Sequence, residues 1–379
     1  MIKEICDVIK NNFEKLNSNF GDDLFNNVKH ITENFTKNLT FFDLKDKIED
    51  IYLDYMVLQY CISNKNTFVI TVWPVTYEAE DIFLNTYNKY GSIIYKKEIR
   101  LKENGFKNIL HFISDKKKHP LGMKLWFAEP HRHINPLTIY IFESKEVETI
   151  SVNEKINYLT RIFNNNRNHI LQIQKKGGLN NLFVTTRAKR ECRNEIKIKN
   201  KIAPISFAPD RQYSHHVNDE HHETIELCRI FLNDNSIFAL NKCNLDYKCL
   251  SFDNKYKNYV NFINDNKWGK LDDFCLNNSS VLSQFGIRQS RDIDYLHNHT
   301  FNISKQIPEE EISSHNYVVK EFNLNIDEII YNPTKHFWFK NIKFITLDEL
   351  LLFKKKQMII TPNNLKAKND FKLITSFLQ

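Results

Sequence analysis

Glycine and proline are scarce, 8 and 9 among 379 residues, and neither a glycine-rich solenoid nor a disordered tail fits that composition. No two of the seven cysteines (Cys6, Cys61, Cys192, Cys228, Cys243, Cys249 and Cys275) form a CxxC pair, and their number is odd. A disulfide framework and a structural zinc site are therefore disfavoured, and a reducing compartment is the natural setting. Long apolar runs are missing too. Nothing approaches the roughly 18 consecutive apolar residues of a membrane-spanning helix, and Met1 to Lys15 alternates apolar and polar residues without the core of a signal peptide. The expectation is a soluble, cytoplasmic protein with no membrane span.

Charge of one sign is not concentrated. Lys and Arg number 53 against 46 Asp and Glu, a net +7, which mildly favours an anionic partner. The basic clusters, Lys116 to Lys118 and Lys354 to Lys356, are short and scattered, which makes nucleic acid the less favoured partner. What is abundant is core material: 41% of residues are hydrophobic and 13% aromatic, with 29 phenylalanines. That is enough for two or three domains with real cores.

Helical spacing runs through residues 1 to about 62, for example Leu44, Ile48 and Ile51. From Thr67 the pattern becomes strand-like: Phe68 to Trp73 is an apolar, β-branched run ended by Pro74. A helix-like stretch from Tyr77 to Lys89 and a second strand from Ser92 to Ile99 follow. Strand, helix, strand predicts a small α/β unit with a parallel pair. Leu137 to Phe142 is a third strand, and the polar stretch from Glu143 to Asn153 suggests a boundary near residue 150. Beyond it come helix 156–163, a basic tract over 164–200 and a helix over 219–232 that Asp219 would cap. The expected domains are 1–150, 151–264 and 265–379. The fold class is α/β and α+β, multidomain: an N-terminal α/β region, then a C-terminal mixed sheet with flanking helices.

Residues 279–296 carry the chemistry. They read as a short apolar strand, a turn at Gly286, and a second strand opening with Asp292-Ile293-Asp294. With a period of two, Asp292 and Asp294 share one face, about 7 Å apart at Cα. Two hard oxygen donors so placed suit Mg2+ or Mn2+. Gly286 permits close backbone approach, and Arg288, Ser290 and Arg291 place donors and positive charge beside the turn, so a phosphate site adjoins a metal site. The plain alternative is a surface hairpin whose arginines pair with its aspartates.

A strand, a glycine turn with Arg or Ser and an Asp-hydrophobic-Asp strand resemble the signature of the nucleotidyltransferase superfamily, which includes DNA polymerase beta and the bacterial phosphocholine transferases of surface glycans. Gly286-Ile287 stands where most members carry Gly-Ser or Gly-Gly. The tail is similar as well: a strand at Lys343 leads into a helix carrying Lys354, and a basic residue followed by Asp370 opens the final helix. The resemblance covers about residues 265–379. It implies that Asp292 and Asp294 hold the metal on the phosphates of a nucleotide-type donor. Gly286, Arg288, Ser290, Arg291 and Lys354 would bind donor phosphate. A third carboxylate on a later strand, Asp327 ahead of Glu321, would act on an acceptor hydroxyl of a small molecule or glycan.

Elsewhere, Ser214 to Thr224 gathers four of the 14 histidines beside three acids. His215, His216 and His222 with Arg211, near Arg187, Lys189, Arg190 and Arg193, read either as a capped helix with partly exposed histidines, as an acceptor or phosphate site, or as a metal site. Cys228 reads as core. Gly177-Gly178 reads as a turn rather than a phosphate loop, and Glu129, His131 and His133 as loop residues or as the lining of a cleft. Three rivals stand beside the transferase: a glycosyltransferase using the same Asp-x-Asp on a nucleotide-sugar, a noncatalytic nucleotide-binding module, and a template-independent RNA polymerase.

Overall fold

The computed structural model describes residues 41–45, 49–113, 135–146, 149–164, 166–198, 214–218, 220–243, 250–265, 271–298 and 312–379. They form a mixture of helices and two sheets, divided between two compact units. One takes the described residues within Thr40–Lys45 and Val57–Phe231, the other those within Asp46–Met56 and Leu232–Gln379. The expected lines at 150 and 264 do not coincide with this division, because a strand and helices beyond residue 150 complete the core of the first unit. Among the described residues no helix is long and apolar enough to cross a membrane.

The first unit contains α1 (Phe41–Leu44) and the later part of α2 (Asp50–Ser63), followed by β1 (Thr67–Val72), α3 (Glu80–Tyr87), β2 (Gly91–Ile99), α4 (Glu103–Ile113) and β3 (Leu137–Ser144). It closes with α5 (Val152–Ile162), α6 (Arg167–Lys175), α7 (Leu179–Ile198), β4 (His215–Val217) and α8 (His221–Phe231). The sheet order is β2-β3-β1-β4. The parallel pair expected from strand, helix, strand is not formed. β3 lies between β1 and β2 and runs antiparallel to both, so the inserted strand supplies the pairing that a direct crossover would have. β1 and β3 are interior strands, which is why their sequences are almost continuously apolar and buried. Phe68, Ile70, Phe83, Tyr87, Phe142 and Phe183 join one core beneath them, each large side chain contributing about 1.5–3 kcal/mol by burial.

Local signals fix several of these elements. Ser151 and Glu154 make a reciprocal capping box at the start of α5. Gly177, at φ +77, ends α6, with the Gly178 N–H donating to the Ile173 carbonyl; the turn reading holds there. Cys228 is fully buried in α8. Gly91 opens β2 where a Cβ would lie 2.1 Å from the Glu143 carbonyl oxygen, so only glycine lets β2 meet β3 at that point.

The second unit begins, after residues 49–56, with α9 (Asp234–Lys242) and α10 (Leu250–Asp265), then β5 (Phe274–Asn277), α11 (Ser279–Gln284), β6 (Ile293–His297), β7 (Ile312–Ser314), α12 (Asn316–Glu321) and α13 (Ile326–Tyr331). It ends with β8 (His336–Phe339), β9 (Ile342–Ile345), α14 (Leu347–Ile360) and α15 (Leu365–Leu378). Its mixed sheet has the order β7-β6-β5-β9-β8. β5 runs antiparallel to β6 and parallel to β9, β6 parallel to β7, and β8 antiparallel to β9. The β8–β9 hairpin turns on Lys340 and Asn341, both at positive φ, the twist a two-residue hairpin needs. One sheet face buries Tyr295 among Tyr259, Phe262 and Phe274. Lys343 ties β9 to α13 by donating to the Ile330 carbonyl at 2.7 Å.

Residues 279–284, expected as a strand, are helix α11, and the strand that pairs with the Asp-x-Asp strand is β5 just before them. The later strands expected around Glu321 and Asp327 are likewise helices, α12 and α13. Asn325 caps α13 by accepting from the N–H groups of Asp327 and Glu328.

Candidate active site

Asp292 immediately precedes β6, in a bend, and Asp294 lies within the strand. Register places Asn277 of β5 and Ser313 of β7 on either side of Asp294, so a row of three polar residues crosses the sheet. Asp294 is 5% exposed. Its Oδ1 accepts from the Ser313 hydroxyl at 3.3 Å and lies 3.0 Å from His315 Nε2. Asp292 Oδ1 accepts from the Ser279 hydroxyl at 3.2 Å. Among the described residues, no protein donor reaches either Oδ2 atom.

The residue that organises this face is Asn278, which the sequence reading passed over. It sits between β5 and α11 at φ 50, ψ −126, a conformation that strains any residue but glycine. Its side chain bridges two groups: Lys354 Nζ donates to Oδ1 at 3.1 Å, and Nδ2 is 2.8 Å from His315 Nδ1. An ammonium only donates, so the amide atom facing Lys354 is the oxygen and the one facing His315 is the NH2. His315 Nδ1 therefore accepts, and its proton sits on Nε2, directed at Asp294. The turn that faces the aspartates is thus Asn278-Ser279 and not Gly286-Ile287. Gly286, at φ +69, is the stop of α11, with the Ile287 N–H returning to the Leu282 carbonyl.

Ser290 braces the approach to Asp292. Its hydroxyl is 2.8 Å from that of Ser279 and donates to the Asp292 carbonyl. Arg291 is exposed. Arg288 and Lys354, expected on donor phosphate, both meet Asp370 of α15. Arg288 grips it with Nε at 2.7 Å and a terminal nitrogen at 3.0 Å, and Lys354 Nζ is 3.3 Å away. Burial pulls the Lys354 ammonium below its ordinary pKa, opposed by Asp370. A continuous polar chain therefore runs Asp294, His315, Asn278, Lys354, Asp370, Arg288.

Asp327 belongs to a helix and not to a later strand of the sheet. It lies in the first turn of α13, one turn before Tyr331, whose hydroxyl donates to Asp273 and accepts from Asn298. Those partners flank the Phe274–His297 end of the β5–β6 pair, away from Asn277 and Asp294. Glu321 is exposed at the end of α12.

The histidine cluster belongs to the first unit. His215 is fully buried, with Nε2 2.9 Å from the Tyr87 hydroxyl and Nδ1 2.8 Å from that of Ser214. Burial, with Arg193, Lys189 and His216 nearby, holds its pKa well below the usual imidazole value. It is a core histidine with both nitrogens used, not an acceptor-binding one. His216 is half-buried on β4, and His222 is exposed beside Glu220 at 3.2 Å. Arg187 bonds Glu191. Arg211, Asp219 and the stretch holding Glu129, His131 and His133 lie outside the described residues.

The fit of a divalent ion rests on the donor set. Two carboxylates two residues apart, each fixed through Oδ1, suit an oxygen-seeking ion that keeps waters and shares substrate phosphates. Among the described residues there is no group of three or more His, Cys, Asp or Glu placed to hold a metal, so a zinc-type cage is not what they offer. No family model matches the chain, and neither does any curated protein or solved structure.

Proposed function

We propose that the unit carrying Asp292 and Asp294 is a nucleotidyltransferase-like module. With Mg2+ or Mn2+ it binds a nucleotide-type donor and transfers a nucleotidyl or phospho-alcohol group to an acceptor hydroxyl on a small molecule or glycan. The supporting observation is the pair of carboxylates two residues apart at the start of β6, with each Oδ1 held by the protein and, among the described residues, no donor on either Oδ2. The Asp-hydrophobic-Asp motif and the closing helices of the resemblance support the same reading; its glycine turn does not, since Gly286 ends α11.

In this reading the acceptor oxygen forms a bond to donor phosphorus as the opposite bond breaks in line. The leaving nucleotide or pyrophosphate takes the electron pair, and the acceptor proton passes to solvent. A divalent ion on Asp292 and Asp294 would neutralise charge on the transferring phosphate. Ser279 and Ser290 fix Asp292, while Ser313 and His315 orient Asp294, so the face is set before substrate arrives. Arg291, exposed beside Asp292, is the basic residue assigned to donor phosphate. Lys354 and Arg288 act as positioning residues through Asp370.

The test is thermal stabilisation of the full chain by Mn2+ with a panel of nucleoside triphosphates, CDP-alcohols and nucleotide-sugars. A metal-dependent rise in Tm with a nucleotide is expected, and its loss in the Asp292→Asn/Asp294→Asn double variant. A response untouched by that variant, or none in the parent protein, ends the proposal; a response confined to nucleotide-sugars selects the glycosyltransferase. A noncatalytic nucleotide-binding module is the second reading, favoured by Ser313 standing beside Asp294 where a carboxylate would complete the site. Metal-dependent binding without turnover on any acceptor would select it.

A further inference from the structure

Asn277 is 1% exposed, and its Oδ1 is buried with no hydrogen-bond partner. It is the cross-strand partner of Asp294, and directly opposed residues of an antiparallel pair point to the same face. An amide oxygen left unmade in the interior is costly to stability, so its persistence beside Asp294 calls for a partner. The nearby donors are committed elsewhere: the Ser279 hydroxyl to Asp292, the Ser313 hydroxyl and His315 Nε2 to Asp294, and Lys354 Nζ to Asn278 and Asp370.

We propose that Asn277 supplies the third oxygen ligand of the divalent-cation site, completing with Asp292 and Asp294 a set of two charged donors and one neutral one. The inference rests on the transferase reading of that face and deepens it. A neutral amide in place of a third carboxylate keeps hard-oxygen chemistry while lowering the site's charge, which weakens intrinsic metal affinity. Such a site binds the ion weakly by itself and more tightly when a donor phosphate adds its own oxygens, so metal and nucleotide strengthen each other's binding. The group of three acidic or imidazole ligands absent among the described residues is replaced by a pair and an amide.

Mn2+ binding to the full chain, read by the loss of free-ion electron paramagnetic resonance signal, tests this without any activity. Asn277→Leu is expected to weaken Mn2+ binding about tenfold, and Asn277→Asp to tighten it about tenfold, since ligand charge sets affinity. Their metal-free Tm values should move the opposite way. Asn277→Leu removes an unsatisfied oxygen and should hold or raise Tm, whereas Asn277→Asp adds a charge beside Asp294 and should lower it, with Mn2+ restoring it. A merely structural Asn277 would not produce that crossing of affinity and stability. Unchanged Mn2+ binding in a folded Asn277→Leu, or no tightening in Asn277→Asp, overturns the assignment. If the Leu variant does not fold, the near-isosteric Asp variant decides alone. The failure of the underlying reading looks different: there, Asp292→Asn with Asp294→Asn also leaves Mn2+ binding unaltered.

Discussion

Lys354 of α14 and Asp370 of α15 face each other with Nζ and Oδ2 3.3 Å apart, both side chains almost fully buried, and Arg288 closes the pair from the other side with two bonds to the same carboxylate. Burial by itself would raise the Asp370 pKa, but the Arg288 hydrogen bonds and the Lys354 charge outweigh it and hold the carboxyl below its ordinary value. Asp370→Asn strips the partner from two cations, one of them buried, and should destabilise the protein by about 3 kcal/mol in denaturant titration. The lowered folded-state pKa means the unfolded chain takes up the proton first as pH falls. The contribution is therefore present above the ordinary carboxyl value of 3.8 and lost progressively below it. Parent and variant stabilities should converge in that acid range.

Asn278 holds a glycine-like conformation while its side chain links Lys354 to His315. Asn278→Gly removes the backbone strain and the bridge together, and stability should change by less than about 1 kcal/mol as the two effects offset. The nucleotide- and metal-dependent Tm shift should nevertheless fall, because His315 no longer fixes Asp294. Asn278→Ala keeps the strain, loses the bridge and should be the less stable of the two by about 1–2 kcal/mol.

His215 is buried as the neutral imidazole, with its pKa pushed well below 6.5 by burial first and by Arg193, Lys189 and His216 after it. The unfolded chain binds a proton that the folded chain refuses, so stability is full above 6.5 and declines as pH falls below it. His336 in the other unit titrates in the same sense. At pH 5.5 the loss should be about 1 kcal/mol for each such group. His215→Gln, which keeps polar atoms for Tyr87 and Ser214, should flatten that share of the slope in paired denaturation curves.

Gly91→Ala places a Cβ 2.1 Å from the Glu143 carbonyl oxygen and 2.6 Å from the Phe142 ring. Backbone cannot yield as a flexible side chain does, so β2 must shift off β3 at a cost of about 1–3 kcal/mol. A Tm drop with unchanged Mn2+ binding would confirm that the strain is local to the first unit.

The first three strands were legible because β-branched, apolar runs bounded by Pro74 or polar residues have few other outcomes. Their pairing was not, since the partner of β1 arrives some 70 residues later as β3. Ser279 to Gln284 is apolar enough for a strand and too short for periodicity to decide. The deciding signal was the four-residue β5 ahead of it, a run too short to stand out by alternation. Asn325 followed by Asp327 and Glu328 is a helix start that could have been read as one. The Asp-x-Asp strand was legible as such, with Asp294 inside β6 and Asp292 in the bend just before it. Asn277 and Asn278 stayed hidden because their roles come from cross-strand register and a backbone angle, and neither leaves a mark in local spacing.

The outer strands of the first unit's sheet also bear on how the protein behaves in company. β4 is three residues long, and β2 carries Lys96 bridged to Glu80 at 2.9 Å and to Glu98 at 3.0 Å. A second copy adding a strand along β2 would have to strip water from those charges, and along β4 it would find almost no ladder to extend. Crowded solutions of the folded chain should thus resist edge-to-edge association, the route by which apolar sheets such as this one otherwise form fibres.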